Sequence, residues 1–252
     1  MPPRRRTGYL RSARLAPADD ERRGYPFDVP AVAGMGELRF DRPVTLLAGG
    51  NGSGKSTILE AVAVAAGMNA EGGGRNFAFA TRSTESALHD ALRLVWDRRP
   101  RTDFFLRAET YYNVATRVEE LDDGSGEILR GYGDRHPHEQ SHGESFLSLA
   151  VSRFGPGGLY LLDEPESALS PLGQLALIVR IHDLVAQDCQ FVIATHSPFL
   201  LAFPGARILL AGDHGVRPAE YSDLEGVALY RAFLEDPAAY MEPLLDPEAA
   251  GG

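Results

Sequence analysis

A glycine-rich stretch between Gly49 and Thr57, Gly-Gly-Asn-Gly-Ser-Gly-Lys-Ser-Thr, holds the residues best suited to chemistry in this sequence. It fills every fixed position of the pattern G-x-x-x-x-G-K-[ST], which binds the phosphates of a nucleotide. Glycines leave backbone amides free to contact a phosphate, and a following helix directs its positive end to the same point. We expect Lys55 to reach the outer phosphates and the hydroxyl of Ser56 to bind Mg²⁺. The expected nucleotide contacts are Gly49, Gly50, Asn51, Gly52, Ser53, Gly54, Lys55, Ser56 and Thr57.

A second chemical signal is the run Leu159-Tyr-Leu-Leu-Asp163-Glu164-Pro165. Its continuous apolar part predicts a central strand that is covered on both faces. The two acids that follow would lie at the carboxyl edge of the sheet, where open α/β sheets bind ligands. Because adjacent residues leave a strand end in different directions, Asp163 can hold Mg²⁺ while Glu164 polarises a water molecule.

Two further stretches of the sequence are weaker candidates for contact with a phosphate. Ser141-His-Gly-Glu144-Ser145 opens an expected helix, and Ser141 with Glu144 has the capping-box spacing S-x-x-E. Such a helix start can also receive an anion. An expected strand over 191–195 leads into His196, which can donate a hydrogen bond to a terminal phosphate or to an attacking water. Taken alone, each of these features also has a purely structural interpretation.

Alternating strands and helices are needed to position these motifs. Apolar runs predict strands over 37–40, 44–48, 103–108, 159–162, 191–195 and 207–210. Helical spacing predicts helices over 58–66, 83–96, 109–121, 146–154, 172–185, 224–234 and 237–245, the fifth of them with Ser170 as N-cap and Pro171 as first residue. This alternation predicts an α/β fold with a mainly parallel sheet flanked by helices.

The composition is that of a globular protein. Among 252 residues, 44% are hydrophobic, and the net charge of −10 provides no global basic field to attract nucleic acid. The single cysteine, Cys189, rules out an intramolecular disulfide framework. No secretory signal and no apolar stretch of membrane-spanning length is evident, so we expect a cytoplasmic protein without a transmembrane segment of its own.

Basic residues are concentrated near the start of the chain. We therefore expect residues 1–24 to form a flexible, arginine-rich arm, either simply solvated or in contact with phosphates, and residues 25–252 to form a single domain. The arginines concerned are Arg4, Arg5, Arg6, Arg11, Arg14, Arg22 and Arg23.

The order and spacing of these motifs, over roughly residues 35–212, resemble the ATPase domain of the ABC class, especially its soluble SMC- and RecF-like members and short predicted AAA-type ATPases. The resemblance implies a P-loop NTPase fold with an N-terminal antiparallel β portion and a helical insertion over about 67–140. It also implies ATP and Mg²⁺ as ligands. Lys55 and Ser56 would match the Walker A residues, Asp163 the Walker B aspartate, Glu164 the catalytic base and His196 the switch histidine.

The same resemblance implies that Ser141, Gly143 and Glu144 form a signature motif, which contacts the γ-phosphate bound by a second chain. The sequence departs from the transporter pattern at this motif, because it reads Gln140-Ser-His-Gly-Glu rather than Leu-Ser-Gly-Gly-Gln. The loop after the Walker B motif also ends in Ser170 rather than aspartate.

Two positions of the family pattern are left open by the sequence. No glutamine occurs between Lys55 and Gln140 to match the metal-binding Q-loop glutamine, and Glu109 can stand in for it. The aromatic residue that stacks on adenine has three candidates: Tyr25, Phe27 and Phe40.

We therefore expect an ATP-dependent switch in which two identical chains sandwich two nucleotides, hydrolyse the β–γ bond and separate. Two cellular roles remain open at this point. One is a nucleic-acid-linked ATPase in repair or defence, or one that acts on a partner protein. The other is the ATPase subunit of a membrane transporter, which the missing Q-loop glutamine weakens because that segment normally meets the membrane partner.

Overall fold

A six-stranded sheet forms the centre of the fold in a computed structural model that describes residues 8–16, 24–74, 87–109 and 142–245. The first five strands in spatial order are parallel, and the last forms an antiparallel hairpin with its neighbour. In that order the strands are β5 (Thr102–Arg107), β6 (Gly158–Asp163), β7 (Gln190–Ala194), β3 (Val44–Ala48), β8 (Arg207–Gly212) and β9 (Gly215–Ala219). The predicted α/β class with a mainly parallel sheet is confirmed.

A second, antiparallel sheet of three strands has the order β2 (Leu38–Arg39), β1 (Leu10–Leu15) and β4 (Leu92–Trp96). This sheet is the antiparallel β portion that the resemblance implied. It corrects the expectation of a flexible arm over 1–24, because residues 10–15 form its central strand and the side chains of Leu10 and Ala13 are buried. Residues 1–7 and 17–23 lie outside the described residues.

The described helices cover both faces of the central sheet. They are α1 (Pro30–Ala33), α2 (Lys55–Ala65), α3 (Leu88–Ala91), α4 (His142–Arg153), α5 (Pro171–Ala186), α6 (Pro198–Leu201), α7 (Glu225–Glu235) and α8 (Pro237–Leu245). As predicted, Ser170 caps α5, since its hydroxyl accepts a hydrogen bond from the N–H of Gly173 at 3.2 Å. Among the described residues, no helix combines the length and apolarity needed to cross a membrane.

The helix predicted over 83–96 is wrong where the structure describes it. Only Leu88–Ala91 is helical, and Leu92–Trp96 forms β4. The sequence Leu-Arg-Leu-Val-Trp fits an alternating strand as well as a helix, and pairing with β1 decides between them. The helical insertion expected over 67–140 is also corrected where the structure describes it. Two strands lie there instead: β4 belongs to the antiparallel sheet and β5 to the central sheet. The helix predicted over 109–121 lies almost entirely outside the described residues.

Two hydrophobic cores lie on opposite faces of the central sheet. One packs α4, α5 and α7 against the sheet, and the other packs α2 and the antiparallel sheet against its reverse face. Alternate residues of β3 serve the two cores: Leu46 faces the first and Leu47 the second. A strand covered on both sides must be apolar throughout, which explains the continuous hydrophobic runs in the sequence.

Gln190 joins the two sheets through its buried side-chain amide. Its Oε1 accepts hydrogen bonds from the backbone N–H groups of Tyr9 and Leu10 at 2.7 and 2.9 Å. Its Nε2 donates to the carbonyl oxygens of Leu10 at 2.8 Å and Phe40 at 3.3 Å. A glutamine at the start of β7 therefore satisfies backbone groups of the antiparallel sheet that would otherwise be buried without partners.

Candidate functional site

The motifs meet at the carboxyl edge of the central sheet. Strand register places Ala194 beside both Leu47 and Asp163, and Arg107 beside Asp163. The chain segments that leave β3, β5, β6 and β7 therefore begin next to one another, although they are far apart in sequence. This edge is the place where open α/β sheets bind ligands.

The loop between β3 and α2 depends on glycine at specific positions. Gly49 has φ 146°, and a side chain there would meet the carbonyl oxygen of Ala211 at 2.6 Å. Gly54 caps α2 in the left-handed conformation, with φ 91°, and a side chain there would meet Val29 at 2.9 Å. Only glycine fits both conditions, so the loop can bring its backbone close to a phosphate at the start of α2.

The ammonium group of Lys55 lies inside this loop between a backbone carbonyl oxygen and a carboxylate. Its Nζ donates a hydrogen bond to the carbonyl oxygen of Gly50 at 2.9 Å and lies 3.6 Å from Oε1 of Glu164. The residue is 3% exposed, and it is the only lysine in the chain. A buried ammonium group paired with one carboxylate is well suited to bind a polyanion at this point.

Oγ of Ser53 and Oδ1 of Asp163 are buried at the site and lack hydrogen-bond partners among the described residues. Burial raises the pKa of Asp163 to about 6, although a hydrogen bond from Ser56 and the nearby guanidinium of Arg107 oppose the rise. A buried carboxylate oxygen beside a hydroxyl is the donor set that Mg²⁺ prefers. Ser56 and Asp163, the two metal ligands selected from the sequence, therefore fit the ion.

Arg107 is a site residue that the sequence reasoning missed. Its Nη1 lies 2.6 Å from Oε2 of Glu60 on α2, and its Nε lies 3.5 Å from Oδ2 of Asp163. It also lies 3.8 Å from Oε2 of Glu109, whose side chain is largely exposed. One sequence feature could have identified Arg107: it directly follows the apolar run 104–106, whose end lies at the same sheet edge as the acids. The role of Glu109 as a Q-loop substitute stays a hypothesis.

Glu164 adopts a backbone conformation that is uncommon for glutamate. Its φ and ψ are 46° and 52°, and its N–H donates to the carbonyl oxygen of Ala194 at 2.9 Å. Non-glycine residues in this region carry strain and cluster at functional sites. Oε1 of Glu164 lies 3.6 Å from Nζ of Lys55 and 3.7 Å from Nδ1 of His196. The predicted catalytic residues Glu164, His196 and Lys55 are therefore neighbours.

The signature residues are placed only in part. Ser141 lies outside the described residues, and of Gly143 and Glu144 the structure describes only the helical backbone of α4. Their role stays a prediction.

The three candidates for the adenine-stacking residue differ sharply in exposure. Phe40 is buried in the core at 2% exposure, which excludes it, and Phe27 is partly buried against the same core. Tyr25 is 70% exposed, and its hydroxyl lies 3.5 Å from Oγ1 of Thr57 in the first turn of α2. Tyr25 is therefore the candidate that can contact a base.

Sequence comparisons match two overlapping parts of the chain to AAA-domain families. A family model described as "AAA domain, putative AbiEii toxin, Type IV TA system" matches residues 86–202, and another, described as "AAA domain", matches residues 34–126. A protein of Methanothermobacter marburgensis named "Putative ABC transporter ATP-binding protein" is 29% identical over 104 residues, 39% of this chain and 37% of the relative. A protein of Haemophilus influenzae named "Uncharacterized ABC transporter ATP-binding protein" is 34% identical over 77 residues, 30% of this chain and 29% of the relative. The chain thus matches only about a third of the length of these relatives.

Structural comparison supports the same fold. The ADP conformation of MJ1267, an ATP-binding cassette of an ABC transporter, superposes with a TM-score of 0.52 at 15% identity and covers 88% of this chain and 98% of that one. Its low identity makes it evidence for the fold alone. Together the two family models span residues 34–202, and the phosphate loop and the acidic pair both lie in that span. The chain therefore carries an AAA-type P-loop ATPase domain, and its fold is the one seen in an ATP-binding cassette of an ABC transporter.

Proposed function

We propose that the sheet edge hydrolyses ATP between the β- and γ-phosphates. The observation that carries this proposal is the position of Oε1 of Glu164, which lies 3.6 Å from Nζ of Lys55 and 3.7 Å from Nδ1 of His196. The loop amides and Lys55 would neutralise the phosphates, and such positioning and electrostatics supply most of the rate in phosphoryl transfer. Glu164 would orient and deprotonate the attacking water, and His196 would hold the γ-phosphate. Tyr25 would stack on the adenine.

Ser56 and Asp163 would hold Mg²⁺ at this site. When bound, the ion supplies positive charge to the β- and γ-phosphate oxygens. The carboxylate of Asp163 must be ionised for this role, and its proximity to Arg107 and Ser56 favours the ionised form.

Hydrolysis would control association of two copies of the chain in the cytoplasm. In this arrangement each nucleotide is bound by the phosphate loop of one copy and by Ser141, Gly143 and Glu144 of the other. The order of motifs and the class of the domain support this arrangement. Because the γ-phosphate would bridge both copies, its loss would remove the shared contact and open the dimer.

A complementation experiment tests the shared site. Ser141→Arg and Lys55→Ala should each abolish hydrolysis alone, because each damages both composite sites of a homodimer. Mixed together, they should regain activity, because a heterodimer contains one site with an intact phosphate loop facing an intact signature. Phosphate release measured against mixing ratio should pass through a maximum near equal amounts. Activity of Ser141→Arg alone, or a mixture as inactive as its components, would argue against a site built from two chains.

Exposed arginines on the antiparallel sheet favour a nucleic acid as the binding partner of the proposed ATPase. Arg14 and Arg93 face each other directly across β1 and β4, both are exposed, and Arg39 lies on the neighbouring strand with Glu37 as its partner. Like charges directly opposite each other on a sheet are destabilising, so a polyanion that neutralises them has a physical reason to bind. The curated relatives are named for transport, which makes a transporter subunit the competing role.

Stimulation by DNA separates these two roles. Short double-stranded DNA should increase the rate of ATP hydrolysis, and its affinity should fall steeply with salt as counterions are released. Exchanging both Arg14 and Arg93 for glutamate should weaken binding in a fluorescence anisotropy assay and leave basal hydrolysis unchanged. Arg217→Glu, an exposed position on β9, serves as the control. A lack of DNA binding by the unmodified protein would favour the transporter role.

A further inference from the structure

Glu166 holds the chain segment that carries His196. It lies in the turn 165–168 after β6, and its side chain is only 5% exposed. Its Oε1 accepts three hydrogen bonds from consecutive residues: the hydroxyl of Thr195 at 2.7 Å, the N–H of His196 at 2.7 Å and the N–H of Ser197 at 3.2 Å. One carboxylate oxygen therefore fixes the backbone on both sides of the histidine.

The other oxygen of this carboxylate makes no hydrogen bond to the described residues. Oε2 of Glu166 is buried and has no hydrogen-bond partner among the described residues. Burying an acceptor without a partner costs free energy, typically about 1–3 kcal/mol. The contacts that Glu166 makes to residues 195–197 therefore all come from Oε1.

The imidazole of His196 depends on this support. The ring is 43% exposed, so packing does not fix it, and its Nδ1 lies 3.3 Å from Oε1 of Glu166 and 3.7 Å from Oε1 of Glu164. With Nδ1 facing the two carboxylates, Nε2 is left for a phosphate oxygen. The orientation of the ring is therefore set by Glu166 as much as by Glu164.

The same segment is also tied to α5. The hydroxyl of Ser197 donates a hydrogen bond to Oε1 of Gln174, and Nε2 of Gln174 donates to the carbonyl oxygen of Leu169 at 3.2 Å. Residues 195–197 are thus connected at both ends to the turn that follows the acidic pair.

We propose that Glu166 is a positioning residue that acts through His196: its carboxylate holds residues 195–197 so that the ring stays between Glu164 and the γ-phosphate. The inference rests on the proposed hydrolysis at this site. Its working contacts are hydrogen bonds accepted by Oε1, which a glutamine carbonyl oxygen can also accept, whereas alanine removes them.

Steady-state kinetics of two variants test this assignment. Glu166→Ala should lower kcat about 10-fold or more with KM for ATP nearly unchanged, because the phosphate loop and Lys55, which supply most of the contacts to the phosphates, do not contact Glu166. Glu166→Gln should retain kcat within about threefold, because three donors converge on the position of its carbonyl oxygen. Equal losses in both variants, or a raised KM with unchanged kcat, would overturn the proposal.

A double-mutant cycle shows whether Glu166 acts through the histidine. In a His196→Ala background, Glu166→Ala should cause no further loss of kcat. Losses that multiply would show that the two residues act independently and would overturn the proposal. Unmodified protein and His196→Ala alone test the hydrolysis mechanism separately: an unaffected rate in His196→Ala would refute the role of His196 and leave no residue for Glu166 to act through.

Hydrogen exchange measures the same positioning without relying on activity. In Glu166→Ala, the amides of His196 and Ser197 should exchange faster than in the unmodified protein, while Glu166→Gln should keep their protection. Unchanged exchange in Glu166→Ala would overturn the proposal. Asp188→Asn is the matched control, because that carboxylate pairs with Arg98 near the opposite ends of the strands. It should leave both kcat and the exchange of these amides unchanged.

Discussion

Replacing Glu164 by glutamine should lower kcat for ATP hydrolysis by about 10²-fold or more, the range expected when a general base is removed. The amide of glutamine can still occupy the space beside Lys55 and His196, but it cannot accept the proton of the attacking water. ATP binding should survive, since the phosphate loop is untouched. Single-turnover measurement of phosphate release together with ATP affinity would separate these two effects.

The same variant should also accumulate as a dimer with bound ATP, because hydrolysis would no longer remove the γ-phosphate that the two copies share. Mass measurement with ATP and with ADP should show the dimer with ATP alone. Glu220→Gln, an exposed carboxylate next to β9, is the control and should behave as the unmodified protein. Unchanged turnover in Glu164→Gln would refute the assignment of the base.

Local sequence was sufficient to predict the parallel strands of the central sheet. β3, β6 and β7 are buried on both faces, so each appears as a short, continuously apolar run that local reasoning detects. The phosphate loop and the acids after β6 are also contiguous in sequence, and their chemistry can be inferred without knowledge of the fold. Parallel strands bring their carboxyl ends together, which explains why the predicted residues met at one edge.

The antiparallel sheet was harder to predict because its pairing is distant in sequence. β1 reads Leu-Arg-Ser-Ala-Arg-Leu and looks like part of a charged terminus, yet it pairs with β4 about eighty residues later.

β9, the edge strand of the central sheet, was also missed, since Gly-Val-Arg-Pro-Ala contains a proline and only one strongly apolar residue. Its place at the edge of the sheet explains why a proline is tolerated there.

Arg107 and Glu166 were missed for a different reason. Neither belongs to a recognisable motif, and each gains its role only from neighbours supplied by other strands. Arg107 meets Asp163 because β5 and β6 are adjacent, and Glu166 meets His196 because β6 and β7 are adjacent. Strand order is a property of the whole fold, so such contacts need a structure.

Lys55→Ala should lower the affinity for ATP by about 2–5 kcal/mol, or about 30- to 4,000-fold, the loss expected when one partner of a buried charge pair is removed. Hydrolysis should be lost as well, since Lys55 is the charged side chain of the loop and also lies beside Glu164. Lys55→Arg keeps the charge but has a longer, planar donor group that does not match the contact with Gly50, so it should recover little activity. Arg217→Ala is the control for loss of an exposed cation.

Because Lys55 is the only lysine in the chain, its state can be followed chemically. Pyridoxal phosphate, an anionic aldehyde that forms imines with amines, should label Lys55 after reduction, and saturating ATP should protect it because the phosphates occupy the same loop. Peptide mass analysis separates this label from that on the α-amino group. Protection by ATP but not by adenosine would locate the phosphates at Lys55. Equal labelling with and without ATP would place the nucleotide elsewhere, and the mechanism built on this loop would be wrong.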